Sequence, residues 1–344
     1  ARGGLLEGSL RSLRRVRRAW QRGRLSNFDY LLYCNLAAGR TFCDLAQWPV
    51  FPWVLARYEG EEEVDLDGAA GFRDLCRPMG ALDEARLARF RSRLRDMESL
   101  QGEPGTPKPF LYGSHYSCPA YVSHWLLRAA PALGLRLQGG RFDAPDRLFC
   151  SVAGAWRSAL SSSSDVRELV PEMFLGDPAF LTNAQRLPLG TRHSGEVVGD
   201  VELPPWARGD PLRFLACQRA ALEAPYVSAN LHHWIDLLFG CKQRGEAAKR
   251  ADNLFRDTTY ALTETRRRRE RRRRDGRGAG EAGLKNDASA DSKKDASADS
   301  EEDACSSESA SAPSSDASGH SSDSAASSSG ISESSSEAEA DPSG

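Results

Sequence analysis

Two prolines interrupt the most aromatic stretch of the chain. Trp48-Pro49-Val50-Phe51-Pro52-Trp53 holds two Trp, one Phe and two Pro. A large aromatic covers about 150–250 Å² when buried, so this segment belongs in a core. It cannot be an ordinary helix there. Pro49 and Pro52 lack an N–H and bias Trp48 and Phe51 toward extended geometry. The same missing donors argue against a central strand. The expectation is an irregular, extended segment inside the core, with its backbone groups paired to distant parts of the chain. Trp48, Pro49, Phe51, Pro52 and Trp53 are the expected structural core, with Trp206 and Trp234 as further members.

Helical patterns flank this stretch. Seven Arg (11, 14, 15, 17, 18, 22 and 24) surround Leu13, Val16 and Trp20, which predicts a basic amphipathic helix. It reads as a linker helix, with contact to an acidic membrane surface as the functional alternative. Ser26 is placed to cap the next helix, with Asp29 completing a capping box and Gly39 ending it. Asp83 caps a helix over 84–97 whose Leu87, Phe90 and Leu94 share one face. Further helices are expected over 121–130, ended by Pro131, and over 149–160, 211–222 and 227–239, the last with Gly240 as its cap. Leu133 to Leu137 reads as a short strand. Residues 168–174 and 203–206 read as extended pieces with Pro inside them. The expected fold class is mainly α, with a core of irregular extended segments surrounded by helices.

Composition divides the chain. From Gly276 onward there are 15 Asp/Glu and 4 Lys/Arg and almost no large apolar side chain. Such a segment cannot bury enough surface to offset its ordering entropy, so residues 263–344 are expected to form an Arg-rich and then Ser/Ala/Asp/Glu-rich disordered tail. Its two copies of an eight-residue unit, at 287–294 and 295–302, are low complexity rather than a solenoid. The whole chain carries −2, so the part before this segment carries +9. The Arg run at 266–274 lacks interleaved aromatics, and specific nucleic-acid recognition is not expected. Eight Cys without C-x-x-C spacing read as reduced, mostly buried thiols of a cytoplasmic protein. No stretch approaches the ~20 apolar residues of a membrane span, so any membrane association is expected to be peripheral.

The blocks Trp20-Gln21, Ser26-Asn27-Phe28-Asp29-Tyr30-Leu31, Trp48-Pro49-Val50-Phe51-Pro52-Trp53, Phe72-Arg73-Asp74-Leu75, Tyr112-Gly113-Ser114-His115-Tyr116-Ser117, Gly140-Arg141-Phe142-Asp143, Glu168-Leu169-Val170-Pro171-Glu172 and Leu203-Pro204-Pro205-Trp206 occur in that order. Together they resemble a BEACH domain, over about residues 19–262. Gly176-Asp177 with Phe180-Leu181, and residues 201–207, look most like the branch of the factor associated with neutral sphingomyelinase activation. The resemblance implies a helical domain with an irregular core, a preceding PH-like domain packed against it in cis, and following WD40 repeats. Residues 1–18 would then be a basic linker left from the PH-like junction. It also implies a non-enzymatic adaptor, coupling a tumour necrosis factor receptor to sphingomyelin breakdown, or placing membrane-traffic proteins. The family would continue past Tyr260 with an acidic-apolar segment where this chain has its Arg run, and no WD40 repeats follow here.

Catalytic constellations are few. Ser114-His115 could act as nucleophile and base, with Asp143 or Asp146 orienting the ring, which gives a hydrolase as one alternative function, a truncated and non-functional fragment being the other. Adjacent residues seldom place a hydroxyl on the neighbouring imidazole, and no G-x-S-x-G elbow is present. A structural turn is the stronger reading. His232 and Asp236 share a helix face and read as a hydrogen-bonded core pair rather than metal ligands. Arg141, Asp143, Asp146 and Arg147 read as a partly buried ion-pair network. No cofactor motif appears. The candidate partner-binding residues are Arg40, Arg73, Asp74, Arg141 and Asp143.

Overall fold

The computed structural model describes residues 4–101 and 106–260, with side chains from residue 12 onward. The Arg run at 266–274, the acidic tail and its repeat lie outside these residues. Among the described residues there are nine α-helices: α1 (Gly4–Gln21), α2 (Asn27–Ala37), α3 (Glu84–Ser99), α4 (Pro119–Trp125), α5 (Pro131–Leu137), α6 (Val152–Ser161), α7 (Pro211–Glu223), α8 (Pro225–Leu238) and α9 (Gly245–Arg250). Strand pairing among these residues amounts to isolated bridges, such as Phe51 with Leu169 and Leu55 with Phe72. The chain is mainly α.

The Pro-broken segment runs extended through the middle. Pro49, Val50, Phe51, Pro52, Trp53, Val54 and Leu55 are all buried. Trp48 is half-buried, with its ring edge-on to Phe42 and its Nε1 3.5 Å from Glu172. The backbone finds partners on several elements. Val50 N donates to Asn35 Oδ1 at 2.8 Å, and Asn35 Nδ2 donates back to Val50 O at 2.9 Å. Phe51 and Leu169 exchange both N–H···O bonds at 2.9 Å. Trp53 N donates to the Glu168 carboxylate at 3.1 Å, and Arg73 N donates to Val54 O at 2.9 Å. Pro49 and Pro52 bring no donor, which is why they are tolerated in a core without a ladder.

Trp53 is the aromatic hub. Its ring lies 5.0 Å from Tyr58, 5.7 Å from Trp125 and 5.1 Å from Trp156, centroid to centroid, and its Nε1 donates to Arg167 O at 3.0 Å. Trp206 and Trp234 are buried in the same core. The helices close over these rings, and α3 contributes Leu87, Phe90 and Leu94.

Local chemistry sets the helix ends. Ser26 accepts from Asp29 N at 3.1 Å. Glu223, at the end of α7, accepts from Asn27 N and Phe28 N at 2.7 and 3.0 Å, which puts a carboxylate on the positive end of α2. Asp83, Ser151 and Asp210 cap α3, α6 and α7. Pro opens α4, α5, α7 and α8, where its missing N–H costs nothing.

Several expectations change here. Residues 133–137 are helix rather than strand, because Pro131 starts α5 instead of only stopping the element before it. The preceding helix, α4, ends at Trp125. The pieces at 168–174 and 203–206 tighten into 3-10 turns at Pro171–Phe174 and Pro205–Ala207, each with Pro at its start. Gly240 does not end α8 through a left-handed cap. A Cβ there would lie 2.8 Å from Asp236 Cα, so close approach is what requires glycine. The seven described cysteines form no disulfide, and none is fully buried. Cys43, Cys76 and Cys241 are exposed, since aromatic rings rather than thiols fill the core.

Trp53→Ala is expected to destabilise the domain by about 3–5 kcal/mol, read as a lower urea midpoint at an unchanged m-value. A native-like midpoint would show that the hub is dispensable.

Candidate interaction surface

The candidate residues separate by depth. Arg73 is buried, and its Nη1 meets Glu168 Oε2 at 2.7 Å. Glu168 also accepts from Trp53 N and, at 3.0 Å, from Trp234 Nε1. Arg40 is buried too, donating to Trp48 O at 2.8 Å and lying 5.5 Å over the Tyr116 ring. Both arginines hold the interior together and are not presented to a docking partner. Asp74 is exposed and accepts from Cys76 N at 2.8 Å. The five candidates therefore do not converge on one patch.

Arg141 and Asp143 do share one region. They lie in the loop after α5, where Asp143 pairs with Arg147. Asp146 of the same loop accepts from the His193 backbone at 3.2 Å and faces the ring at 2.5 Å, and the His193 contacts hold its carboxyl below the usual carboxylate range. Arg141 is exposed and makes no ion pair among the described residues. The four charges form no single network: Asp143, half-buried, pairs with Arg147, Asp146 turns to Arg192 and His193, and Arg141 stands apart. Beneath it, a groove between α4, α5 and residues 142–148 encloses a cavity of about 210 Å³. Arg167 and His124 form part of its wall. Neither drew notice in the sequence. The available signal was the Asp165-x-Arg167 spacing beside Tyr121 and Trp125, which matters only once α4 is placed.

Ser114 and His115 are not assembled as nucleophile and base. The Ser114 hydroxyl donates to Ser164 O and receives the Tyr121 hydroxyl at 3.3 Å. His115 packs against Tyr116, Phe255 and Tyr260, with its Nδ1 3.3 Å from Ser117 O. Burial first, and then the Arg40 charge, push its pKa down to about 3, so the ring is neutral at physiological pH. Asp143 and Asp146 face other partners. His232 is exposed, its ring tilted against His233 at 3.9 Å between centroids, so it forms no core pair with Asp236. Among the described residues no group of three His, Cys, Asp or Glu could hold a metal ion.

Helices wrapped around Pro-broken extended chain, with buried arginines bonded to carbonyls of that chain, define a domain class whose interior is itself irregular backbone. The chain belongs to the Beige/BEACH domain family, whose pattern it matches over residues 18–285. It is 49% identical over 247 residues to BEACH domain-containing protein B of Arabidopsis thaliana, covering 71% of this chain and 9% of that protein. It is 49% identical over 248 residues to Beige protein homolog 1 of Saccharomyces cerevisiae, covering 71% and 11%. To WD repeat- and FYVE domain-containing protein 4 of Mus musculus it is 47% identical over 244 residues, covering 70% and 8%. The chain thus spans about a tenth of the length of these relatives.

Arg73→Met leaves the Glu168 carboxylate buried without its cation, for an expected loss of about 3–5 kcal/mol. The double variant with Glu168→Gln should lose less than the sum of the singles, measured as a double-mutant cycle in urea. Acid is expected to weaken the domain through His115. Its folded pKa of about 3 lies below the ordinary 6.5, so between these values the unfolded chain binds a proton that the folded chain refuses. This stabilisation is complete above about pH 6.5 and is lost as pH falls toward 3. Going from pH 7 to 5 should cost about 2 kcal/mol through this group. His115→Gln should flatten that slope in urea titrations at the two pH values.

Proposed function

We propose that this domain is a non-enzymatic scaffold that places signalling or membrane-traffic proteins. One observation carries the reading. The side chains that could do chemistry are spent on structure: Arg40, Arg73 and Glu168 hold the core backbone, His115 is a neutral ring in an aromatic cage, and Ser114 is bonded to a carbonyl. The binding-competent features face outward instead. The partner in the first instance is a PH-like domain, which the family resemblance puts in cis. The blocks at 176–181 and 201–207 favour the adaptor branch that couples a tumour necrosis factor receptor to neutral sphingomyelinase, with ceramide as the product of the coupled enzyme. WD40 repeats would complete such an adaptor, and one relative's name carries WD repeats.

Helix α1 supports a peripheral rather than an inserted relation to membranes. Trp20 stacks on Tyr30 at 4.4 Å, while Leu13 and Val16 are half-buried, so over residues 13–20 the apolar side chains already pack on the domain. Arg14, Arg15, Arg17 and Arg18 point to solvent. Each cation near an anionic surface contributes about 1 kcal/mol. Among the described residues no helix is long and apolar enough to cross a membrane.

Titrating the chain with a separately produced PH-like domain from a full-length family member tests the scaffold reading. Saturable binding by calorimetry is the expected result. Absence of binding, together with labelling of Ser114 by a fluorophosphonate probe in the folded protein, would replace this reading with the hydrolase alternative.

A further inference from the structure

A cavity of about 290 Å³ opens where α2 and α8 end, walled also by residues 115–117 and 259–260. Two arginines line it, Arg40 from the turn after α2 and Arg244 from the turn before α9. Its wall holds no Asp or Glu. Arg40 gives Nη1 to Trp48 O and lies 5.5 Å over the Tyr116 ring. Arg244 is exposed, and its guanidinium lies 4.5 Å over the Tyr260 ring. Neither arginine is in an ion pair among the described residues.

His115 lines the same cavity. Burial first, and then the charges of Arg40 and Arg244, keep its ring neutral. Both guanidinium charges thus act on one space, and the imidazole adds none. Two like charges around a cavity without a counter-charge repel each other, and an anion between them turns that cost into attraction. The charge count selects the anion. A carboxylate brings one negative charge and leaves the pair unbalanced. A phosphomonoester carries about 1.5–2 negative charges at neutral pH, which matches two guanidinium groups, and the Arg fork bonds phosphate oxygens in pairs. Volume limits the rest of the ligand. Sites for small molecules run to about 300–1,000 Å³, so this cavity has room for a phosphate and a small organic body. Tyr116, Phe239 and Tyr260 give that body an aromatic wall.

We propose that this cavity binds the phosphomonoester group of a small organic molecule or a lipid headgroup, with the phosphate held by Arg244 in the field of Arg40. Arg40 keeps its bond to Trp48 O, so it contributes charge from a fixed position, while Arg244 supplies the exposed donors. The site does not depend on the scaffold reading.

Calorimetric titration of the full chain with phenyl phosphate, and with benzenesulfonate as a singly charged control of similar shape, tests the proposal. Phenyl phosphate is expected to bind saturably, and about tenfold more tightly than benzenesulfonate or better. Arg244→Gln removes one guanidinium, and Ala46→Glu puts a carboxylate on the exposed part of the wall. Each should weaken phenyl phosphate binding about tenfold or more. Both positions are exposed, so both variants should keep the parent melting temperature. Sedimentation with phosphatidylcholine vesicles containing phosphatidylinositol monophosphate separates the sources. Pelleting that Arg244→Gln abolishes assigns a lipid headgroup, and soluble binding without such pelleting assigns a soluble ester. The proposal is overturned by the absence of phenyl phosphate binding at millimolar concentration, by equal affinity for benzenesulfonate, or by binding that Arg244→Gln leaves unchanged. Each of these outcomes would leave the PH-like domain titration as it stands, so the two readings fail separately.

Discussion

Glu168 is the residue on which the interior depends. Its carboxylate accepts from Trp53 N, Arg73 Nη1 and Trp234 Nε1. Its N–H donates to Tyr116 O at 2.9 Å, and its carbonyl accepts from Trp125 Nε1 at 3.2 Å. Five distant pieces of chain thus meet on one side chain and its peptide. In a sheet, a ladder sets the register of neighbouring segments. Here the bridges are isolated, so side-chain bonds have to do it. Burying a carboxylate alone would cost several kcal/mol. Three donors, one of them the Arg73 cation, offset that, and the geometry they need is what fixes the extended segments relative to α4 and α8.

Buried arginines extend the same logic. Irregular chain leaves carbonyls without helix or sheet partners, and each needs a donor. Arg offers five N–H groups in a rigid fork and no acceptor. Arg86 bonds the carbonyls of Met79, Ala159, Ser162 and Asp165. Arg128 bonds those of Phe149 and Gly199. Arg40 takes Trp48 O. A core of this kind selects arginine for donor count rather than charge. Lys, with three donors on a flexible stem, would satisfy fewer carbonyls with less directional control.

This explains what the sequence disclosed and what it did not. The Trp-Pro stretch was legible because proline chemistry and aromatic area are local properties, readable without the fold. The caps at Ser26 and Asp83 were legible for the same reason. Arg40 and Arg73 were assigned to the surface because a lone arginine ordinarily belongs there, and only the tertiary arrangement shows the carbonyls and carboxylate they serve. Pro131 was ambiguous because proline both stops one helix and starts the next. His232 and Asp236 were read from helical spacing, but spacing does not say which face of α8 is turned inward; Leu231 and Trp234 occupy it. Arg167 and His124 were silent, because the groove wall they share exists only once α4 is placed.

The core and the groove are not independent. Arg167 precedes Glu168 in the chain, and its backbone carbonyl receives the Trp53 indole N–H. Its side chain points the other way, against Tyr121, Trp125 and Asp165. Trp125, which forms part of α4 behind the groove, is bonded to Glu168 O. The Pro-broken stretch therefore fixes the backbone from which the Arg167 guanidinium reaches Asp165 and the wall of the groove. The two ends of one residue thus belong to two structures, the carbonyl to the aromatic core and the guanidinium to the wall of the groove.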